Sequence, residues 1–330
     1  MKRAFATLLL FIAGLGIMHF SHVSHAQIGG AEPLQLTMTP SYPRPYQQVI
    51  VIPQSSVIDL TSSTVVVTVD GREVSRGSGA EAAYITVGGP GTATNVVVRA
   101  TSGGQTYTKS LTIRPADVAL VVESGSTSHP FYEGGSLIAS EGGVRLVAIP
   151  DIRTSAGTSV PAANLVYTWR NGDQILQSSS GIGKSVLSAV APTKWRDAAI
   201  TLTVTTQDRS IVAEATASIA PADPYLRVYR NDPLLGPLFG TALPSDILLN
   251  GDEETFRAVP YFFSRKPAFT WEVDGIPSDS DEDVTVRASG LGSGTASLGV
   301  SAGLADTFET ATAGMSVTFG EGRSLGIFGL

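Results

Sequence analysis

The sequence predicts an all-β protein built from antiparallel β-sandwiches in tandem, and three observations carry that expectation. A short apolar strand that closes on a proline occurs three times, as Val49-Ile50-Val51-Ile52-Pro53, Leu146-Val147-Ala148-Ile149-Pro150 and Phe256-Arg257-Ala258-Val259-Pro260. Its prolines lie 97 and 110 residues apart. Each copy is followed by a second strand-like run that ends in a glycine turn: Val65 to Asp70-Gly71, Tyr167-Thr168-Trp169 to Asn171-Gly172, and Phe269-Thr270-Trp271 to Asp274-Gly275. No long stretch carries a 3.6-residue apolar period, so helix is a minor component.

Taken in order, domain one spans 33–115. Leu34, Leu36 and Met38 alternate with polar neighbours as a half-buried strand does. The prolines of Tyr42-Pro43-Arg44-Pro45-Tyr46 interrupt it, because proline supplies no ladder donor. After the repeated strand, Val65 to Val69 runs into Asp70-Gly71, a pair that tolerates positive φ and signals a hairpin. Gly77-Ser78-Gly79 marks a further turn, and the runs 96–100 and 107–113 pair across Ser102-Gly103-Gly104-Gln105.

Domain two spans 116–221 and domain three 222–320, leaving a tail at 321–330. Both open on Pro-Ala-Asp, at 115–117 and 221–223. Each has a first strand, 118–122 or 225–229, and then an irregular loop with an aromatic centre: His129-Pro130-Phe131-Tyr132 in one, Pro237-Leu238-Phe239 in the other. A Gly-x-Gly element recurs at 77, 181 and 290, read as equivalent turns, and a strand is expected over 308–319. Trp169 and Trp271 sit two residues after Tyr167 and Phe269, so each pair shares one face of its strand. A large aromatic at that place is the central packing piece of an Ig-like sandwich, and the chain reads as three tandem Ig-like antiparallel β-sandwiches. Trp195, just before a strand, is expected to cap the core of domain two.

The pattern resembles bacterial Ig-like and polycystic-kidney-disease-type (PKD-like) repeats. The strings Pro130-Phe131-Tyr132, Val147-Ala148-Ile149-Pro150, Tyr167-Thr168-Trp169, Asn231-Asp232-Pro233-Leu234-Leu235-Gly236 and Pro260-Tyr261-Phe262-Phe263-Ser264 are similar to secreted bacterial repeat proteins without an assigned activity. The resemblance covers most of 115–322, and domain one matches in outline. Trp169-Arg170-Asn171-Gly172-Asp173 stands where the kidney-disease repeats carry an acidic, glycine-rich Trp-x-Phe-Gly-Asp-Gly string. Thr201 and Thr203 stand where an Ig strand would carry Tyr and Cys. The resemblance implies a sandwich and names no ligand.

Residues 1–26 read as a signal peptide: Lys2 and Arg3, an apolar core from Ala4 to Met18, and Ser24-His25-Ala26 as the cleavage site, which gives a mature start at Gln27. The rival reading is an uncleaved anchor, since a span needs about 20 apolar residues. Export to the cell surface, with no membrane span after cleavage, is the expectation. Loss of Lys2 and Arg3 leaves 20 of the 22 basic residues against 29 acidic ones, a net charge of −9. That balance argues against a nucleic-acid partner. There is no cysteine, and His129 is the single histidine beyond residue 26, which excludes disulfides, cysteine nucleophiles and multi-histidine zinc sites.

Three candidate chemistries follow. Ser178 to Ser185 ends like a phosphate-binding loop, but Ser178 stands where the first glycine belongs and a strand rather than a helix follows. Asp279, Asp281 and Asp283 alternate as the start of a calcium loop does, although Val284 and Gly290 occupy the EF-hand's glycine and glutamate positions. The alternatives are a calcium site completed by another loop and a solvated turn, with no other cofactor expected. The aromatics Phe131, Tyr132, Phe239, Tyr261, Phe262 and Phe263 cannot all enter one sandwich, because neighbouring strand residues face opposite ways. They either pack between domains or grip a partner, a protein or glycan at the cell surface. The chain therefore reads as a non-catalytic structural or adhesion-type binding protein. A glycan-acting enzyme and a membrane-tethered or pilus-associated spacer are the alternatives.

Overall fold

The computed structural model describes residues 32–79, 81–249, 251–278, 280–288 and 293–320. The expected signal peptide, the tail at 321–330, the Gly290 element and Asp279 lie outside the described residues. The rest forms three all-β domains of two facing sheets each.

Domain one comprises β1 (Gln35–Thr39), β2 (Gln48–Gln54), β3 (Thr64–Val69), β4 (Arg72–Ser78), β5 (Ala83–Thr86), β6 (Thr94–Ser102) and β7 (Gln105–Ile113). Its sheets have the orders β1-β2-β5 and β4-β3-β6-β7. Domain two comprises β8 (Asp117–Ser124), β9 (Gly143–Asp151), β10 (Val166–Asn171), β11 (Gln174–Ile175), β12 (Gly181–Ile182), β13 (Val186–Val190), β14 (Ala198–Thr205) and β15 (Val212–Ile219). Here β13-β9-β8 faces β11-β10-β14-β15, with β12 also on β10. In both domains the fourth strand joins the sheet of the third, whereas a constant-type Ig domain adds it to the sheet of the first two.

Domain three comprises β16 (Tyr225–Asp232), β17 (Gly236–Pro237), β18 (Asp246–Leu248), β19 (Glu253–Tyr261), β20 (Ala268–Val273), β21 (Ile276–Ser278), β22 (Asp283–Arg287), β23 (Gly294–Leu304) and β24 (Glu309–Phe319). Its sheets run β17-β16-β19-β22 and β18-β24-β23-β20-β21. The short β18 lies parallel to β24, and the other pairings are antiparallel.

The proline-ended strand is the same element each time. Pro53 lies opposite Leu36, Pro150 opposite Val118 and Pro260 opposite Leu226, in every case the second residue of the domain's first strand. On the other side, the third strand of the sheet stops at Val51, Val147 and Arg257. Proline has no N–H to offer a longer neighbour, so the missing donor coincides with the end of the pairing.

The cores follow the same register. Val67, Trp169 and Trp271 are buried at matching places. Each indole N–H donates to a backbone carbonyl just before the next long strand, Trp169 to Lys184 O and Trp271 to Asp281 O, both at 2.9 Å. The hairpin turns sit three residues further on. Asp70-Gly71 and Asp274-Gly275 hold positive φ at both positions. In domain two the turn is Gly172-Asp173, one residue later than Asn171-Gly172, with Gly172 alone left-handed. The Gly-x-Gly elements at 77 and 181 are not free turns. Gly77 pairs with Val65 and Gly181 with Tyr167, the residues two before Val67 and Trp169, so both sit in the ladder beside the core strand.

Trp271→Ala should lower the stability of domain three by about 3–5 kcal/mol, as expected for a fully buried indole. Trp271→Phe should cost less, roughly 1–3 kcal/mol for the carbonyl left unpaired. Urea melts followed by circular dichroism check both, and the transition of domain one should not move.

Candidate functional site

The predicted aromatics meet at the junction of domains two and three. The three consecutive ones owe their placement to one backbone angle. Along β19, Phe256 and Ala258 point into the core of domain three, while Val259 and Tyr261 belong to a cluster on the opposite face of the sheet. Phe262 is left-handed, with φ 61°, so it stays on the outer face beside Tyr261 and returns Phe263 to the core. All three are buried.

The loop at 125–142 of domain two covers that outer face. Thr127 N donates to Phe263 O at 2.8 Å, Phe262 N donates to Thr127 O at 2.7 Å, and Phe263 N donates to the Thr127 Oγ1 at 3.0 Å. Around these bonds the rings interlock. His129 stacks on Phe239 at 4.7 Å and meets Tyr261 edge-on at 5.7 Å, and Tyr225 stacks on Tyr261 at 4.8 Å. Tyr132 packs edge-on against both Tyr261 and Phe262. The Tyr229 and Tyr261 hydroxyls are bonded at 2.7 Å. Burial pushes the Tyr261 phenol far above the ordinary tyrosine range, and the bond to Tyr229 adds to it. Tyr225 is raised by burial as well.

Of the two alternatives for these aromatics, Tyr261, Phe262 and Phe263 pack between or within domains and present no surface to a partner. Tyr132 and Phe239 are half-buried in the same seam, and Phe131 remains 74% exposed at its rim. The acidic run is also engaged in structure. Both oxygens of Asp283 are taken by Arg257, and Asn231 donates to one of them. Asp281 pairs with Lys266 at 3.3 Å. Each carboxylate is thus neutralised by a cation, and no cluster of three metal-ligating side chains occurs among the described residues.

Beside the seam lies a cleft of about 500 Å³ whose walls come from both domains. Trp195, 85% exposed and left-handed at φ 70°, stands on the domain-two wall. It is therefore not a cap on the core, because its backbone angle turns the indole away. Phe308, 86% exposed with φ 54°, stands on the other wall, in the hairpin turn before β24 rather than in the strand expected over 308–319. Glu141, a third left-handed residue, lines the same cleft at φ 53°. Non-glycine residues persist in that region where their surroundings over-determine it, and such positions concentrate at functional sites.

Two buried polar side chains hold the walls. Ser140 Oγ accepts from Lys194 N at 2.9 Å, and Glu141 N donates to Pro192 O, which together fix the Trp195 loop. Glu309, 3% exposed, accepts from Ser264 N, Ser264 Oγ and Thr307 Oγ1, which fixes the Phe308 turn. Lys194 bridges to Asp223 of the linker at 2.6 Å, and its ammonium lies 4.6 Å from the centre of the Trp195 ring. Ala222 N donates to Ile138 O across the same junction.

No protein-family model and no curated protein matches the chain. Among solved structures it is similar to the three N-terminal domains of the bacteriophage RB49 Highly Immunogenic Outer Capsid protein, at 10% identity, 87% of this chain, 98% of that one and a TM-score of 0.25. Sidekick-1 immunoglobulin domains 1–5 match at 10% identity over 89% and 60%, with a TM-score of 0.31. Fibronectin(III)-like modules of Clostridium thermocellum CbhA match at 15% over 60% and 93%, with a TM-score of 0.22. At such scores the sandwich assignment rests on the strand pairing above, and no function is carried over.

The sequence singles out the aromatics that the structure brings together at this seam, but not Trp195 and Phe308 as a pair. The available signal was an aromatic in a hairpin turn, Asp306-Thr307-Phe308, where no core is within reach.

Phe239→Ser should lower stability by roughly 1–2 kcal/mol, whereas Phe131→Ser should stay within about 0.5 kcal/mol of wild type in chemical denaturation. The folded value of Tyr261 lies above the unfolded one, about 10. Its contribution is thus fully present below about pH 10 and lost as pH rises towards the folded value. Melts between about pH 9 and pH 11.5 should fall more steeply for wild type than for Tyr261→Phe, and parallel declines would contradict this.

Proposed function

We propose that the chain is an exported, non-catalytic binding protein of the cell surface, adhesion-type, in which domains two and three act as one rigid head. The observation that carries this reading is the braced cleft beside the aromatic seam, where two exposed rings from different domains are held ready for a ligand. Rings kept out of the core by left-handed backbone cost stability without packing gain, which suits a contact surface. The signal-like N-terminus supports export. His129, the base that acid–base or serine chemistry would have called on, has its ring stacked on Phe239 and its Nδ1 accepting from Phe131 N. That supports a binding rather than a catalytic role.

The junction of domains one and two differs in kind. Arg44 and Asp117 form an exposed ion pair at 3.2 Å, and Ala116 N donates to Pro43 O at 3.3 Å. No apolar cluster spans this junction among the described residues. Relative motion is expected where an interdomain contact is small and polar. Domain one is thus a jointed spacer, and the head is carried on it.

Fluorescently labelled full chain should bind the envelope of producing cells saturably, and the Trp195→Ala, Phe308→Ala double variant should lose most of that binding at unchanged melting temperature. Retention of binding by the double variant would place the adhesive surface elsewhere.

A further inference from the structure

We infer that the ligand of the Trp195–Phe308 cleft is a neutral oligosaccharide; this rests on the binding reading above and deepens it. The cleft has the size of small-ligand sites, which run to about 300–1,000 Å³. It is also preorganised, since Ser140 and Glu309, 5% and 3% exposed, pin the two loops that carry the rings. A ligand therefore meets loops whose backbone ordering cost has already been met by folding.

The lining selects the chemistry by elimination. A cationic ligand would have to share the Trp195 ring with the Lys194 ammonium, which already lies against it. An anionic ligand would face Glu141, whose carboxylate has no hydrogen bond or ion pair within the described residues, and Asp306, whose carboxylate is paired with Arg265. A wholly apolar ligand would strip water from Glu141, Lys194 and the hydroxyls of Thr193 and Thr310 without replacing its hydrogen bonds, at a cost of about 1–3 kcal/mol per unpaired group. A neutral ring with an apolar C–H face and hydroxyls around its edge meets all of these conditions. Its face lies on an aromatic ring, its hydroxyls donate to Glu141, and they accept from Lys194 and the threonines. Because the rings come from two domains across one open cleft, a chain of sugars engages both where a single ring would engage one.

The test is a panel of immobilised neutral oligosaccharides, of gluco, manno, galacto and N-acetylhexosamine types, with sialylated and sulfated glycans alongside, probed with the full chain and followed by calorimetric titration. At least one neutral oligosaccharide should bind, with affinity lower by about tenfold or more in Trp195→Ala and in Phe308→Ala, and a smaller loss in Trp195→Phe. Both rings are exposed, so melting temperatures should not change, and Tyr84→Ala, an exposed ring of domain one, should bind as wild type. Binding confined to charged glycans, binding unaffected by the ring variants, or no glycan binding at all would each overturn the inference. The last outcome, combined with cell binding that still depends on Trp195 and Phe308, would leave the adhesion reading standing and point to a protein ligand.

Discussion

A β-sheet has two faces, and a sandwich core covers one of them. In domain three the β17-β16-β19-β22 sheet buries its inner face in the domain's own core, and the part of its outer face around Tyr229, Val259 and Tyr261 under a loop of its neighbour. The left-handed Phe262 makes this possible, because it breaks the alternation and places Tyr261 and Phe262 on the same side. Thr127 then bonds to the backbone on either side of that kink. Ser264, next after Phe263, reaches Glu309 and so the Phe308 turn. The relative placement of the two walls of the cleft thus rests in part on one irregular residue just past the end of β19, together with the Ala222–Ile138 hydrogen bond and the Lys194–Asp223 ion pair.

Much of the fold was legible in the sequence because it is set by local patterns. The proline lies opposite the second residue of each domain's first strand, and the hairpin turns begin three residues beyond Val67, Trp169 and Trp271. The Gly-x-Gly elements at 77 and 181 read as turns but their first glycines are ladder residues, because short glycine-rich strands and turns look alike in sequence. The site was less legible. Its aromatics were visible as too many for one core, yet nothing local distinguishes a ring that fills a seam from one that faces solvent. Phe131 and Phe239 illustrate the difficulty, being neighbours in space with opposite exposures. Trp195 was misplaced because a tryptophan before a strand usually packs, and only its backbone angle shows that it does not. Asp281 and Asp283 gave a metal-like spacing, but Lys266 and Arg257, which neutralise them, come from elsewhere in the chain.

The two junctions divide the protein mechanically. Aromatic pairs contribute about 0.5–1.5 kcal/mol each beyond the area they bury, and the second junction holds several. Exposed ion pairs contribute about 0–1 kcal/mol, and less in salt. The first junction includes such a pair, beside the Ala116–Pro43 hydrogen bond and the close approach of Gly91 to Thr154. Raising ionic strength therefore weakens the first junction more than the second, where the exposed Lys194–Asp223 pair is a minor addition to the aromatic packing.

The parallel strand β18 covers the outer edge of β24. An uncovered edge strand offers unpaired N–H and C=O groups to any extended segment that approaches. In domain three that flank is closed over Ser316 to Thr318, so polymerisation by strand addition is blocked there. Along that stretch of β24 the backbone groups are already taken by β18, and an approaching segment meets its side chains alone.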